Sequence, residues 1–190
     1  MFTSVVNMKD VIEKKIDVPT EVTVTIDART IHVKGPKGTI IKKFSDPRYD
    51  SYIKLKKEDH TIIVTSSSER KKVKALLGTM ASGIQKMIIG VTSGYTYTMK
   101  IFFVHFPMNI TVKDNTIQIK NFLGEKTLRT AQIHGNVHVK IDKDIVTVTG
   151  VNKEEVGQTC GNIEKAVKIT KKDRRIFQDG IFMNTKSVGM

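Results

Sequence analysis

Four clusters of cations are the residues of this chain best placed to do chemistry. They are Lys34 to Lys43 in KGPKGTIIKK, Lys54 to Lys57 in KLKK, Arg70 to Lys74 in RKKVK, and Lys171 to Arg175 in KKDRR. Several ammonium and guanidinium groups near a turn or a helix start can neutralise phosphates without burying charge. For any one cluster a solvated face is an equally good reading. In RKKVK the cations fall in the first turn of an expected helix, where they oppose its dipole unless an anion is near.

Other chemistries find less support. KGPKGT is phosphate-loop-like in composition, but it lacks the G-x-x-x-x-G-K-[ST] spacing and runs into a strand-like segment rather than a helix. A hairpin tip explains it better, with glycines accepting positive φ and Pro36 fixing the turn. His32, His60, His105, His134 and His138 are scattered without carboxylates at ligand spacing, so no metal site and no cofactor is expected. Cys160 falls on the apolar stripe of a helix and reads as a core thiol. No paired acids and no nucleophile-base arrangement emerge, so no catalytic residue is assigned.

The bulk properties agree with a polyanionic partner. Among 190 residues, 32 Lys and Arg against 19 Asp and Glu give a net charge of +13, and the pI is about 9.8. Nucleic acid is the leading partner on that balance. A single cysteine excludes an internal disulfide framework and fits a reducing compartment. No stretch approaches the roughly 20 apolar residues of a membrane span, and the first residues lack a secretory apolar core, so no membrane partner is expected.

The elements that must position these cations repeat. PTEVTVTIDARTIHVKGPKGTI, from Pro19, lies over PMNITVKDNTIQIKNFLGEKTL, from Pro107, matching Val22 and Val24 with Ile110 and Val112, and Ile31 and Val33 with Ile117 and Ile119. Period-two alternation makes these strands, joined by turns such as Asp27-Ala28-Arg29 and Lys113-Asp114-Asn115. The first helix is expected to start from a capping box at Ser66 to Glu69, to carry the stripe Val73, Leu76, Leu77, Met80, Ala81, Ile84, Met87 and Ile88, and to stop near Gly90. The second starts at Asn152 and carries Val156, Cys160, Ile163 and Val167. A run from Tyr95 through Ile101, Phe103 and Val104 should be a strand entering the second half. A third, short helix is expected from Thr170 to Gly180, with a frayed end after Asn184.

The expected fold is thus α+β: two tandem similar domains, each a small antiparallel sheet packed against one helix, plus the short C-terminal helix. Residues 1–94 form the first domain, with a leader at 1–15. Residues 95–190 form the second, with an RNA-binding segment at 170–186.

IDVP at Ile16 to Pro19, VKGPKGT at Val33 to Thr39, MIIGVTSGYTYTM at Met87 to Met99, VHFP at Val104 to Pro107 and KNFLGEK at Lys120 to Lys126 form a pattern. The C-terminal part adds Lys172, Arg175, Phe177, Asp179, Gly180, Ile181, Phe182 and Lys186. From about Lys14 to Lys186 the chain resembles the eukaryotic form of the universal large-subunit ribosomal protein six family, called protein nine in older eukaryotic naming. It departs from that pattern in keeping only Arg129 after NFLGEK, in placing Lys165 where the family has Gln, and in lacking tryptophan. It reads as a divergent or reduced relative.

The resemblance implies a non-enzymatic structural constituent of the large ribosomal subunit that binds rRNA near the sarcin-ricin loop and the stalk base. Its implied partners are large-subunit rRNA, neighbouring large-subunit proteins near the stalk base, and translational GTPases transiently nearby. Its implied location is the cytoplasmic ribosome, after assembly in the nucleus. Carried over, the rRNA contacts fall on Asn121, Phe122, Leu123, Gly124, Lys126, Arg129, Lys165, Lys171, Lys172, Arg174, Arg175, Phe177 and Gly180. Asp179 shapes the turn. Second-rank candidates are Lys34, Lys37, Lys42, Lys43, Arg70, Lys71, Lys72 and Lys74. The competing readings are an RNA-processing enzyme on the same basic surfaces, and a basic non-ribosomal module binding RNA or protein.

Overall fold

Strand-forming alternation and two amphipathic helices give two compact units, one ending at Thr92 and the other beginning at Ser93. The structure, a computed structural model, describes residues 12–48, 50–170, 172–173 and 175–189.

In the first unit the strands are β1 (Ile12–Asp17), β2 (Thr23–Asp27), β3 (Thr30–Gly35), β4 (Gly38–Lys43), β5 (Ile53–Glu58) and β6 (Thr61–Ser66), followed by α1 (Lys71–Thr92). They pair antiparallel as two sheets, in the orders β1-β6-β5 and β2-β3-β4. The second unit has β7 (Tyr95–Phe102), β8 (Asn109–Lys113), β9 (Thr116–Lys120), β10 (Arg129–Gln132), β11 (Val137–Asp142), β12 (Ile145–Gly150), α2 (Lys153–Ala166) and β13 (Gly180–Val188). Its sheets run β10-β9-β8 and β11-β12-β7-β13.

The repeat holds element by element. β1-β6-β5 corresponds to β7-β12-β11, and the meander β2-β3-β4 to β8-β9-β10. Two-residue hairpins join β2 to β3, β5 to β6, β8 to β9 and β11 to β12. Their first residues, Ala28, Asp59, Asp114 and Lys143, all have positive φ, as tight hairpins that follow the strand twist require. Each half therefore holds two small sheets where the periodicity suggested one, because alternation identifies a strand but not its partner.

Both helical stripes are buried as expected except at Leu76, which is half-buried. Val73, Leu77, Met80, Ala81, Ile84, Met87 and Ile88 of α1 are in the core with Ile31, Val33, Ile62 and Val64 of the sheets. Helix α1, with 22 residues, is long and apolar enough to cross a membrane by length and composition alone. Here it packs against β1, β3 and β6. Val156, Cys160 and Ile163 of α2, and Val167 just past its end, are buried in the same manner, and each such aliphatic side chain removed from water is worth about 1.5–3 kcal/mol.

The helix ends differ from the expectation in part. Ser66 is the last residue of β6, and its hydroxyl is engaged with the backbone of Ser68. Ser68 Oγ accepts the Arg70 N–H at 3.4 Å, and α1 begins at Lys71 with no acid in its first turn. There is no capping box. At the other end α1 continues to Thr92, and the Lys37 N–H donates to the Val91 carbonyl at 3.0 Å. Gly35 makes this docking possible, since a Cβ there would sit 2.7 Å from Val91 Cγ2. Helix α2 starts as expected: Asn152 accepts the Glu154 N–H and its amide donates to Glu155. Glu154 and Glu155 complement the dipole.

Two expectations about the C-terminal segment are corrected. No helix forms among the described residues between 170 and 180. Instead the Asp173 carboxylate accepts the Arg175 N–H and its carbonyl accepts those of Ile176 and Phe177, making one isolated turn. The residues after Asn184 are not frayed, because β13 pairs with β7 as far as Val188 opposite Tyr95, with an irregularity between Met183 and Thr185. Phe103 and Val104, expected in the strand, lie past its end and are exposed.

Candidate nucleic-acid interface

Most of the expected contacts lie in the second unit, on the loop after β9 and the turn before β13. The loop begins at Asn121, in the left-handed region at φ 61°, with its side-chain amide donating to the Pro107 carbonyl at 3.0 Å. Leu123 and Gly124 also have positive φ, at 52° and 77°. These bends drive Phe122 inward, where it is 1% exposed. Gly124 is backed by Phe106, whose ring would lie 3.3 Å from a Cβ.

Arg129 covers Phe122, its guanidinium carbon 4.4 Å from the ring centroid. Its Nε and Nη2 donate to the two Glu125 carboxylate oxygens at 2.9 and 2.8 Å. Its Nη1 donates to the carbonyls of Ala166 and Lys168 at 2.9 and 3.2 Å. The cation thus sits at the negative end of α2, where it is favoured. Hydrogen bonding to Arg129 holds the Glu125 carboxyl below the usual range, outweighing the opposing effect of burial.

One expected contact is corrected by this geometry: Phe122 is a core residue whose ring has no face for RNA. Arg129 directs most of its donors inside the protein and keeps 23% of its side chain exposed. Leu123 is half-buried, while Gly124 and Lys126 are exposed.

The turn before β13 is organised by Asp179, 1% exposed. Its carboxylate accepts the His105 backbone N–H at 3.3 Å and faces His105 Nδ1 at 3.0 Å. Phe177 stacks on the His105 ring, centroids 4.7 Å apart and planes 21° apart. Lys172 Nζ lies 4.4 Å from the other aromatic partner, the Phe177 ring. Burial alone would push the Asp179 carboxyl up, but the His105 ring and the backbone N–H groups of His105 and Val104 outweigh it and hold it below the usual range. A carboxyl depressed on folding stabilises above its unfolded value, near 3.9, and loses that contribution as pH falls through the folded value. Asp179→Asn should therefore destabilise the protein at pH 7, with the gap to wild type closing below about pH 4. Urea titrations at several pH values check this; a gap independent of pH refutes it.

Around this turn Lys165, Lys168, Lys172 and Arg175 are exposed. Lys171 and Arg174 lie outside the described residues. Gly180 opens β13 in a buried position, where a Cβ would meet the Phe182 ring at 2.9 Å. A cleft of about 600 Å³ opens beside it, lined by Phe102, Val104, Val167, Phe177, Ile181 and Phe182 among others.

The second-rank cations of the first unit are more dispersed. Lys34, Lys43, Lys71, Lys72 and Lys74 are exposed. Lys37 is tied through its backbone to the end of α1. Lys42 and Arg70 lie 5.4 and 5.9 Å from the rings of Phe44 and Tyr52. Lys57 Nζ donates to the Val24 carbonyl. No group of three potential metal ligands occurs among the described residues.

The model of the family described as ribosomal protein L6 matches this chain twice, over residues 18–94 and 106–180. The chain belongs to the ribosomal protein L6 family. The large ribosomal subunit protein uL6 of Desulfurococcus amylolyticus is 44% identical to it, covering 92% of this chain and 95% of its own length. That of Methanobrevibacter smithii is 43% identical, covering 92% and 96%. The uL6 of Staphylothermus marinus is 46% identical, covering 90% and 93%.

The two L6 matches fall one on each half of the repeat, and the second ends where β13 begins. The exposure of Phe102, Val104 and Phe182 escaped the sequence reading, because aromatic and β-branched residues in a strand-like run count as core until the strand end is known. Cys160 behaves as read. Burial, helped by the Glu164 charge, pushes its thiol up to about 12. In native buffer at pH 8 this L6 chain should leave a disulfide reagent unreacted and release one equivalent only after denaturant; rapid native labelling contradicts a core thiol.

Proposed function

We propose that this chain is a structural constituent of the large ribosomal subunit, holding rRNA through cations displayed on two rigid α+β units. The family match to both halves, joined to the net charge of +13, carries the reading. Family members are structural constituents of the ribosome, not enzymes, with large-subunit rRNA and other ribosomal proteins as partners. The mechanism is electrostatic: Lys and Arg on turns and helix ends neutralise phosphates and release counterions, while the folded units fix their spacing. On this reading Asn121, Lys126, Lys165, Lys172 and Arg175 face rRNA together with Lys171 and Arg174. Gly124, Phe177 and Gly180 shape the surface, and Phe122 and Arg129 brace it.

The finer reading places the protein beside the sarcin-ricin loop at the stalk base, with translational GTPases passing nearby. It also assigns the eukaryotic form, with assembly in the nucleus and work in the cytoplasm. The C-terminal Lys172 to Phe182 pattern and VHFP support that assignment, while the relatives given above are archaeal.

Sedimentation through a sucrose gradient tests the core of the proposal. The protein should travel with large subunits at physiological salt and be released only under stripping conditions. Migration as a small free protein at every salt concentration would refute it.

A further inference from the structure

The cleft beside β13 shares Phe177 and Gly180 with the expected contacts, but Phe102, Val104 and Phe182 in its walls were not among them, and its chemistry differs from that of the cation clusters. Its walls are apolar and aromatic, yet they stay open: Phe102 is 44% and Phe182 41% exposed, with centroids 6.1 Å apart at an interplanar angle of 51°. Both acidic wall residues accept hydrogen bonds within the protein, Glu164 while staying exposed. Glu164 accepts the Met183 N–H at 3.0 Å, and Asp179 is buried against His105. Cations surround the aromatic rings: Lys100 Nζ lies 4.9 Å from the Phe102 centroid and Lys172 Nζ 4.4 Å from that of Phe177, and Lys168 belongs to the wall itself.

We infer that this cleft receives one unstacked base of a single-stranded rRNA nucleotide, with Lys168 and Lys172 taking the flanking phosphates. The inference rests on the rRNA-binding reading above and adds its stacking partner. A base offers a π-face to open aromatic rings, and its phosphates suit a rim of cations. An apolar peptide would use the floor but leave those charges uncompensated. The pocket is preformed, since the β7–β13 pairing and the Asp179–His105–Phe177 contacts fix its walls, so little ordering cost opposes binding.

The chain has no tryptophan, so the full-length Phe182→Trp variant carries a single indole at the cleft. It is titrated with a large-subunit rRNA transcript and, separately, with heparin. Indole quenching by rRNA but not by heparin is expected. A Phe102→Leu variant, which keeps apolar volume and loses the ring, should bind rRNA about 5- to 150-fold more weakly with an unchanged salt slope. A mobility shift with unaltered emission overturns the inference and leaves the rRNA-binding reading standing. An emission change that appears only on adding other large-subunit proteins overturns it in favour of a protein occupant. No RNA binding even at low salt overturns both.

Discussion

Replacing Lys171, Lys172, Arg174 and Arg175 together with glutamine should weaken binding to large-subunit rRNA by about 10²- to 10³-fold near 0.1 M salt. The physical basis is counterion release, in which each neutralised phosphate contributes roughly one unit to the slope of log affinity against log salt. Losing four contacts should flatten that slope by about three to four, and affinity measured from 50 to 400 mM salt reads this directly. Single substitutions should each shift affinity about tenfold or less, because the term is spread over the cluster. Lys172 and Arg175 are exposed beside a turn held by Asp173 backbone and carboxylate bonds, so their removal leaves no buried partner unpaired. A quadruple variant with the wild-type slope would remove this segment from the interface.

Phe122→Ala should cost about 3–5 kcal/mol of stability, as large-to-small changes at fully buried aromatic sites do. Phe122 is held by three neighbouring positive-φ residues and covered by Arg129. The substitution opens a cavity and removes the face on which that guanidinium lies. Because Arg129 also donates to Ala166 and Lys168, the loss should reach the end of α2. Urea unfolding measures the cost, and hydrogen exchange at the C-terminal turn of α2 measures its reach. The salt slope for rRNA should remain that of the wild type while the variant is folded. A folded, fully stable variant that loses rRNA affinity would return Phe122 to the interface.

The repeat and both helices were legible in the sequence, because Ile31, Val33, Ile117 and Ile119 alternate and the α1 and α2 stripes recur at helical spacing. β1 and β13 escaped because few of their residues are buried. In β1 only Ile16 is buried, and in β13 only Gly180 and Ile181, so neither shows a pattern. Their hydrogen bonds come from partners far along the chain, which local reading does not reach. The site divides in the same way. Exposed cations such as Lys126 and Lys172 are visible as charge, but whether an arginine faces solvent depends on the carbonyls around it. Arg129 looked like the surviving member of a basic run, and its carbonyl partners lie 37 and 39 residues away. Phe122 drew attention as an apolar residue at a turn; Asn121 and Gly124 let the chain reverse so that the ring points inward.

The pairing of β13 with β7 also sets an order of events during synthesis. All the strands of the first unit and α1 lie before residue 93, so that unit can close while the ribosome is still making the rest. In the second unit Tyr95 pairs with Val188. Its first strand is among the earliest parts to emerge and must wait for Val188 before its sheet is complete. During that interval one edge of β7 is open, and the sheet beneath the cationic segment is unfinished. The four-stranded sheet of this half should accordingly close later than the sheets of the first unit, with β13 the last strand to join it.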